Sequence, residues 1–162
     1  MYMKHIRKNW KTYALWILLT EAVGGLSGWL TREGTEFYQS TVTQPPLSPP
    51  PLAFPIVWGI LYALMGIGAA RIYLAPSTLG RTRALRIFLL QLIFNFFWSL
   101  IFFNLQAFGF ALAWLLALWG LILLMILLFA RIDKPAALLQ LPYLLWVTFA
   151  LYLNAGVWWL NR

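Results

Sequence analysis

Apolar residues run along this chain in long blocks, and charge is confined almost entirely to the gaps between them. The first block, Thr12 to Leu30, is broken only by Glu21, and the second, Leu52 to Ala70, carries no charge. A bilayer core about 30 Å thick needs about 20 apolar helical residues to cross it, so each block predicts one spanning helix. Ile87 to Ala130 is free of charge over 44 residues. As a single helix it would be about 66 Å long, twice the core thickness. It therefore predicts a helical hairpin, turned at the small and polar cluster Asn104, Gln106 and Gly109. Pro135 to Asn161 predicts a fifth span. The expected helices are approximately 10–30, 52–74, 85–104, 108–130 and 135–160, with an outer loop over 31–51. Together they form one all-α membrane domain, a five-transmembrane-helix bundle covering residues 1–162.

Composition strengthens this reading. Hydrophobic residues make up 62% of the chain and charged residues 10%, against about 25% charged in a soluble domain. A chain of this length cannot hide so much apolar surface in a water-soluble core. In a bilayer it need not, because the outer surface is apolar too. The net charge of +8 does not point to nucleic acid, since the basic residues form no single polar module. They lie at the ends of the apolar blocks. Lys4, Arg7, Lys8, Lys11, Arg71, Arg81, Arg83, Arg86, Arg131 and Lys134 fall on one side of the expected bundle, and Arg32 and Arg162 on the other. Cytoplasmic loops are enriched in Lys and Arg, so the N-terminus is expected in the cytoplasm and the C-terminus outside. The first block follows a basic start, as in a signal peptide, but it is long enough to span and no small-x-small cleavage site followed by a soluble domain appears. It is expected to be retained as a helix. There is no cysteine, which excludes disulfide and thiolate chemistry.

In lipid, polar side chains at mid-depth are the informative ones, because lipid offers them no partner. Gln91, Asn95, Trp98 and Phe102 are spaced to share one helix face, as are Trp146, Phe149, Ala150 and Asn154 in the fifth span. The second span carries Trp58, Tyr62, Met65 and Gly66, and the first Glu21, Gly24, Gly25 and Gly28. Two readings follow: a central aromatic cavity for a flat, largely apolar ligand, or amides that simply bond neighbouring helices. Glu21 is the one acid inside a span and a functional candidate on that ground, or else an interfacial or helix-bonded group. Gly24-x-x-x-Gly28 and Gly66-x-x-x-Ala70 permit close helix contact, within one chain or between two. The outer loop ends in Gln44-Pro45-Pro46-Leu47-Ser48-Pro49-Pro50-Pro51. Proline fixes φ and lacks an amide donor, so this stretch is expected to be stiff and extended, either a cap over a cavity or a linker. Enzyme signatures are sparse. His5 stands alone, there is no phosphate loop, and the four acids are scattered. No metal site and no catalytic constellation are expected.

At the second span the residues resemble a known family. Pro45-x-x-x-Pro49-Pro50 followed by Phe54-Pro55-Ile56-Val57-Trp58-Gly59-Ile60-Leu61-Tyr62-Ala63-Leu64-Met65-Gly66 is similar to the TspO/MBR family of tryptophan-rich sensory and translocator proteins. Gln91-x-x-x-Asn95-x-x-Trp98-x-x-x-Phe102-Phe103, the block Pro142 to Asn154, and Glu21-x-x-Gly24-x-x-Ser27-Gly28 extend the resemblance over nearly the whole chain. It implies a bundle that dimerises, needs no cofactor, and binds porphyrins (protoporphyrin IX and haem-type tetrapyrroles) and benzodiazepine-site ligands under the first loop. The ligand-binding residues it implies, joined to the stripes above, are Tyr38, Trp58, Tyr62, Gln91, Asn95, Trp98, Phe102, Trp146, Phe149 and Ala150. Alternative roles are light-dependent porphyrin breakdown, for which Trp58 and Trp146 are the oxidisable candidates, and transport of a tetrapyrrole or other apolar solute. The chain departs from the family at Phe37, Leu47 and Trp114, where members carry a tryptophan, an aromatic and often an acid. The sterol motif of animal members needs a basic residue soon after its tyrosine, and after Tyr152 the next is Arg162. The blocks look bacterial, so the expected location is a bacterial cytoplasmic membrane.

Overall fold

In a computed structural model, which describes residues 2–162, the chain is all helix and turn. Among the described residues five helical segments are long and apolar enough to cross a membrane, and the chain is an integral membrane protein. In order, the elements are α1 (Tyr2–Leu30), α2 (Arg32–Thr41), α3 (Ala53–Tyr73), α4 (Leu79–Ser99), a π-helical turn Leu100–Asn104, α5 (Phe108–Ala130), α6 (Lys134–Leu138) and α7 (Leu141–Leu160). The spans run up and down. One end of the bundle, the cap end, carries α2, the proline loop and the α4–α5 turn. The other, the basic end, gathers the ten Lys and Arg residues named above.

Helix ends lie where local chemistry stops them. α1 kinks at Asn9 (φ −113°, ψ 18°), so its apolar part begins one residue later. Thr78 caps α4 by accepting from the Arg81 amide at 3.1 Å, which satisfies one of the free amides of a first turn. The hairpin expected within 87–130 turns at residues 105–107, with Gln106 in the left-handed region (φ 52°). The fifth span is not continuous. Pro142 has no amide to give the Leu138 carbonyl, and the chain breaks into α6 and α7 around Leu139 and Gln140. The Gln140 side chain heals the break, its Nε2 donating to Leu64 O at 3.2 Å and Ala136 O at 3.3 Å. It does so across Gly68, where even a methyl group would collide with the amide.

Two regions of the first connection also differ from expectation. Residues 32–41 form helix α2 rather than loop, while Pro45 to Pro51 is non-helical as expected. α2 lies on the π-turn through Gly34, where a Cβ would meet Phe103 O at 2.6 Å. The second small-residue pair, Gly66 and Ala70, does sit at a close crossing. A Cβ at Gly66 would lie 2.6 Å from the Ile17 Cα, and Thr20 Oγ1 donates to Tyr62 O at 2.7 Å across the α1–α3 seam.

Candidate functional site

The cap half of the bundle encloses a cavity of about 600 Å³, walled by α1, α2, α3, the α4–π segment and α7. Large rings hold it open. Phe54 meets Trp146 at 6.0 Å and Trp58 meets Tyr143 at 6.2 Å between centroids, so α3 and α7 face each other through side chains. On α1 the wall is almost bare backbone. Gly24 lies beneath the Tyr62 ring, and nothing occupies the space over Gly25 and Gly28. Gly24 therefore makes a close contact with α3 through Tyr62, while Gly25 and Gly28 leave room for the cavity.

Seven of the expected site residues come together on this cavity: Tyr38, Trp58, Tyr62, Trp98, Phe102, Trp146 and Ala150. Three do not line it. Phe149 lies with Val57, Ile60 and Leu145 in a separate shallow groove on the outside of the α3–α7 seam. Gln91 and Asn95 are buried one to two turns nearer the basic end, in a chain of hydrogen bonds. The Tyr62 hydroxyl donates to Asn95 Oδ1 at 2.5 Å, Asn95 Nδ2 donates to the Tyr143 hydroxyl at 2.8 Å, and that hydroxyl donates to Gln91 Oε1 at 2.7 Å. Of the two readings open for these amides, the geometry places them as bonds between α3, α4 and α7. They set the angle of Tyr62, whose ring does face the cavity.

The indoles divide by their N–H groups. Trp98 donates to Asn154 Oδ1 at 3.1 Å, Trp114 to Phe94 O at 2.8 Å and Trp119 to Thr148 Oγ1 at 2.9 Å. Among the described residues neither Trp58 nor Trp146 has a hydrogen-bond partner for its N–H, and both line the cavity. Trp114, the departure expected in the fourth span, stacks on Phe94 with centroids 4.4 Å apart and lies off the cavity. An acid there would have met α4, not a ligand in this space.

The lid is built from α2 and the proline loop. Tyr38 packs against Phe102 and Phe103 at 5.4 and 5.3 Å, and burial pushes its phenol pKa up to about 12. The first half of the loop is tied to α7 at two points. Asn161 pairs with the Thr43 backbone, accepting at 3.0 Å and donating at 2.8 Å, and the Tyr152 hydroxyl donates to Pro46 O at 2.6 Å. Pro45 presses on Gly156, where a Cβ would come within 2.6 Å. Leu47, in the left-handed region at φ 67°, is 82% exposed and points away from the cavity lining. Phe37, the other loop departure, is also outside the lining.

Sequence reasoning missed the contribution of Thr31, Arg32, Thr35 and Gln39 to the wall, because it read 31–51 as loop. A signal was present: Thr31, Thr35 and Tyr38 are spaced four and three apart, one helical face.

Comparison with known proteins gives a consistent picture. The TspO/MBR family profile matches residues 16–160. The chain is 38% identical over 157 residues to the tryptophan-rich protein TspO of Chlorobaculum tepidum, covering 96% of this chain and 99% of that one. It is 33% identical to the protein CrtK of Rhodobacter capsulatus over 86% of this chain and 87% of the other. It is 32% identical to the translocator protein of Bos taurus over 92% and 90% of the two chains.

Proposed function

The chain belongs to the TspO/MBR family, and from that premise we propose that it is a membrane receptor or regulator that binds porphyrins and benzodiazepine-site ligands in the cap-end cavity. The observation that carries the proposal is the free indole N–H of Trp58 and of Trp146 on a largely aromatic wall. A cavity of about 600 Å³ falls within the range of small-molecule sites, about 300–1,000 Å³. Aromatic faces stack on a flat macrocycle, and indole and phenol donors bond its carboxylate edges. Arg32, at the cap-end rim of the lining, adds a cation for the same groups. The same proposal puts the basic end in the cytoplasm of a bacterium, the cap end outside, and two copies together in the membrane.

Titration of the detergent-purified protein with protoporphyrin IX tests the reading, followed by tryptophan fluorescence corrected for absorption by the ligand. Wild type is expected to quench saturably at micromolar ligand. The double variant Trp58→Ala, Trp146→Ala is expected to bind more weakly, by stacking worth roughly 0.5–1.5 kcal/mol per aromatic pair beyond area burial. Identical, non-saturable quenching in both proteins would mean that porphyrin only partitions into detergent, and the site would be withdrawn.

A further inference from the structure

The first helix is longer than a crossing requires. The segment Met3–Leu30 has 28 residues, about 42 Å at 1.5 Å per residue, and the hydrocarbon core is about 30 Å thick. The surplus lies at the N-terminal end, because the apolar block begins only at Thr12. The helix kinks there, at Asn9, whose side-chain amide donates to His5 O at 3.1 Å. Residues 3–8, on the far side of the kink, are all exposed. A kink at this depth lets the segment turn out of the α1 axis and lie along the membrane surface.

The segment is divided by face. At 100° per residue Met3 and Ile6 fall within about 60° of each other, and Lys4, Arg7 and Lys8 share an arc of about 100° beside them. Trp10, just past the kink, is exposed like Met3 and Ile6. Three large apolar side chains outside the core would stand in water, which is unfavourable, unless they settle at the boundary of headgroups and acyl chains. Positive charge at this end follows from topology alone, but its separation from an apolar face does not.

The cations of the segment are also free. Elsewhere several have partners within the protein. Arg71 pairs with Asp133, Arg81 donates to Tyr73 O at 2.8 Å and Ala75 O at 3.2 Å, and Arg32 and Arg162 lie over the Trp29 and Trp159 rings at 4.5 and 3.6 Å. Among the described residues Lys4, Arg7 and Lys8 have no hydrogen-bond, ion-pair or ring partner. Lys11 has only the Trp10 ring, at 5.9 Å, and no acid precedes Glu21. We propose that residues 3–11 are an anionic-lipid anchor. Met3, Ile6 and Trp10 seat at the acyl boundary, and Lys4, Arg7, Lys8 and Lys11 bind the headgroup phosphates of anionic phospholipids. The anchor is independent of the ligand reading of the cavity.

Because the chain has no cysteine, a single nitroxide label can be placed at Met3→Cys, on the apolar face, or at His5→Cys, off it. The full-length labelled proteins are put into nanodiscs of phosphatidylcholine, or of an equal mixture of phosphatidylcholine and phosphatidylglycerol. Collision of the label with oxygen and with a water-soluble nickel chelate then reports its depth. In the anionic discs the Met3 label is expected to be shielded from the chelate and the His5 label open to it. In phosphatidylcholine both are expected to be open. Each cation contributes roughly fivefold to the ratio of docked to free segment, so Lys4→Gln, Arg7→Gln, Lys8→Gln and Lys11→Gln together should abolish the shielding. Salt at about 1 M, where the Debye length is about 3 Å, should do the same without any charge substitution, and it decides the matter if the neutralised variant does not yield a single species on size-exclusion chromatography. Equal exposure of the two labels in anionic discs, or shielding that is the same in both lipids and at high salt, would overturn the proposal. Dipolar broadening between Met3 labels in both lipids would put a second copy of the chain on this face and overturn it as well.

Discussion

The two halves of the bundle use nearly the same apolar alphabet to opposite ends. Toward the basic end, α3 presents Met65, Gly66, Gly68, Ala69, Ala70 and Ile72, all buried, and small residues let α1, α6 and Gln140 approach its backbone. In the cap half the same helix presents Phe54, Trp58 and Tyr62, whose rings keep α3 and α7 apart. Mean hydropathy does not separate these stretches; side-chain size does. In lipid there is little hydrophobic force between helices, so packing depends on shape. Small residues close a bundle, and large flat ones leave a space that only a ligand of matching shape fills. The polar devices differ likewise. The basic half is clasped by the Arg71–Asp133 ion pair at 2.5 Å, and the cap half is held shut by neutral contacts between loop and α7.

Substitutions should separate the halves cleanly. The largest effect is expected for Phe88→Ala. Phe88 is fully buried in the basic half and lies against Trp16 at 5.8 Å and Phe129 at 6.2 Å. Its truncation should cost about 3–5 kcal/mol, seen as a large fall in thermal unfolding temperature in detergent, with porphyrin affinity of the folded fraction unchanged. Equal loss of affinity would show that the halves are not independent. Next is Asp133, which both pairs with Arg71 and caps α6 by accepting from the Ala136 amide at 3.2 Å. Asp133→Ala should destabilise by roughly 1–3 kcal/mol. Asp133→Asn, which retains a capping oxygen, should cost less, and an equal cost would mean that the cap contributes nothing. The smallest effect on stability belongs to the cap half. Asn161→Ala unties the loop from α7 and should cost about 1 kcal/mol or less, yet speed porphyrin release in stopped-flow measurements. An unchanged release rate would mean that the loop does not gate the cavity.

Five spans, their order and the asymmetry of positive charge could be read directly, because a bilayer imposes a length on every crossing and a charge rule on every loop. Much of the site could be read too. Trp58, Tyr62, Trp98, Phe102, Trp146 and Ala150 recur at helical spacing within the family's blocks, and all line the cavity. Helix α2 escaped notice because a short polar stretch beside prolines looks like loop, although it carries a helical face. The break at Gln140 escaped because a proline early in a span signals a helix start as readily as an interruption.

Other features had no linear signature. Asn95 sits in the same stripe as Trp98, but its amide oxygen and NH2 are engaged by Tyr62 and Tyr143 from different helices. Phe149 shares a stripe with Trp146, yet a turn of α7 carries it to the outside. The Gly24-x-x-x-Gly28 pattern reads as one contact motif, yet Gly24 packs under the Tyr62 ring and Gly28 faces open space. Periodicity places a side chain on a face of its own helix. Which neighbour that face meets, at what distance, and whether a polar atom there finds a partner depend on how five helices pack together. That packing is what leaves Glu21 Oε1 and Gln91 Nε2 without partners and bonds both ends of the Asn95 amide between helices.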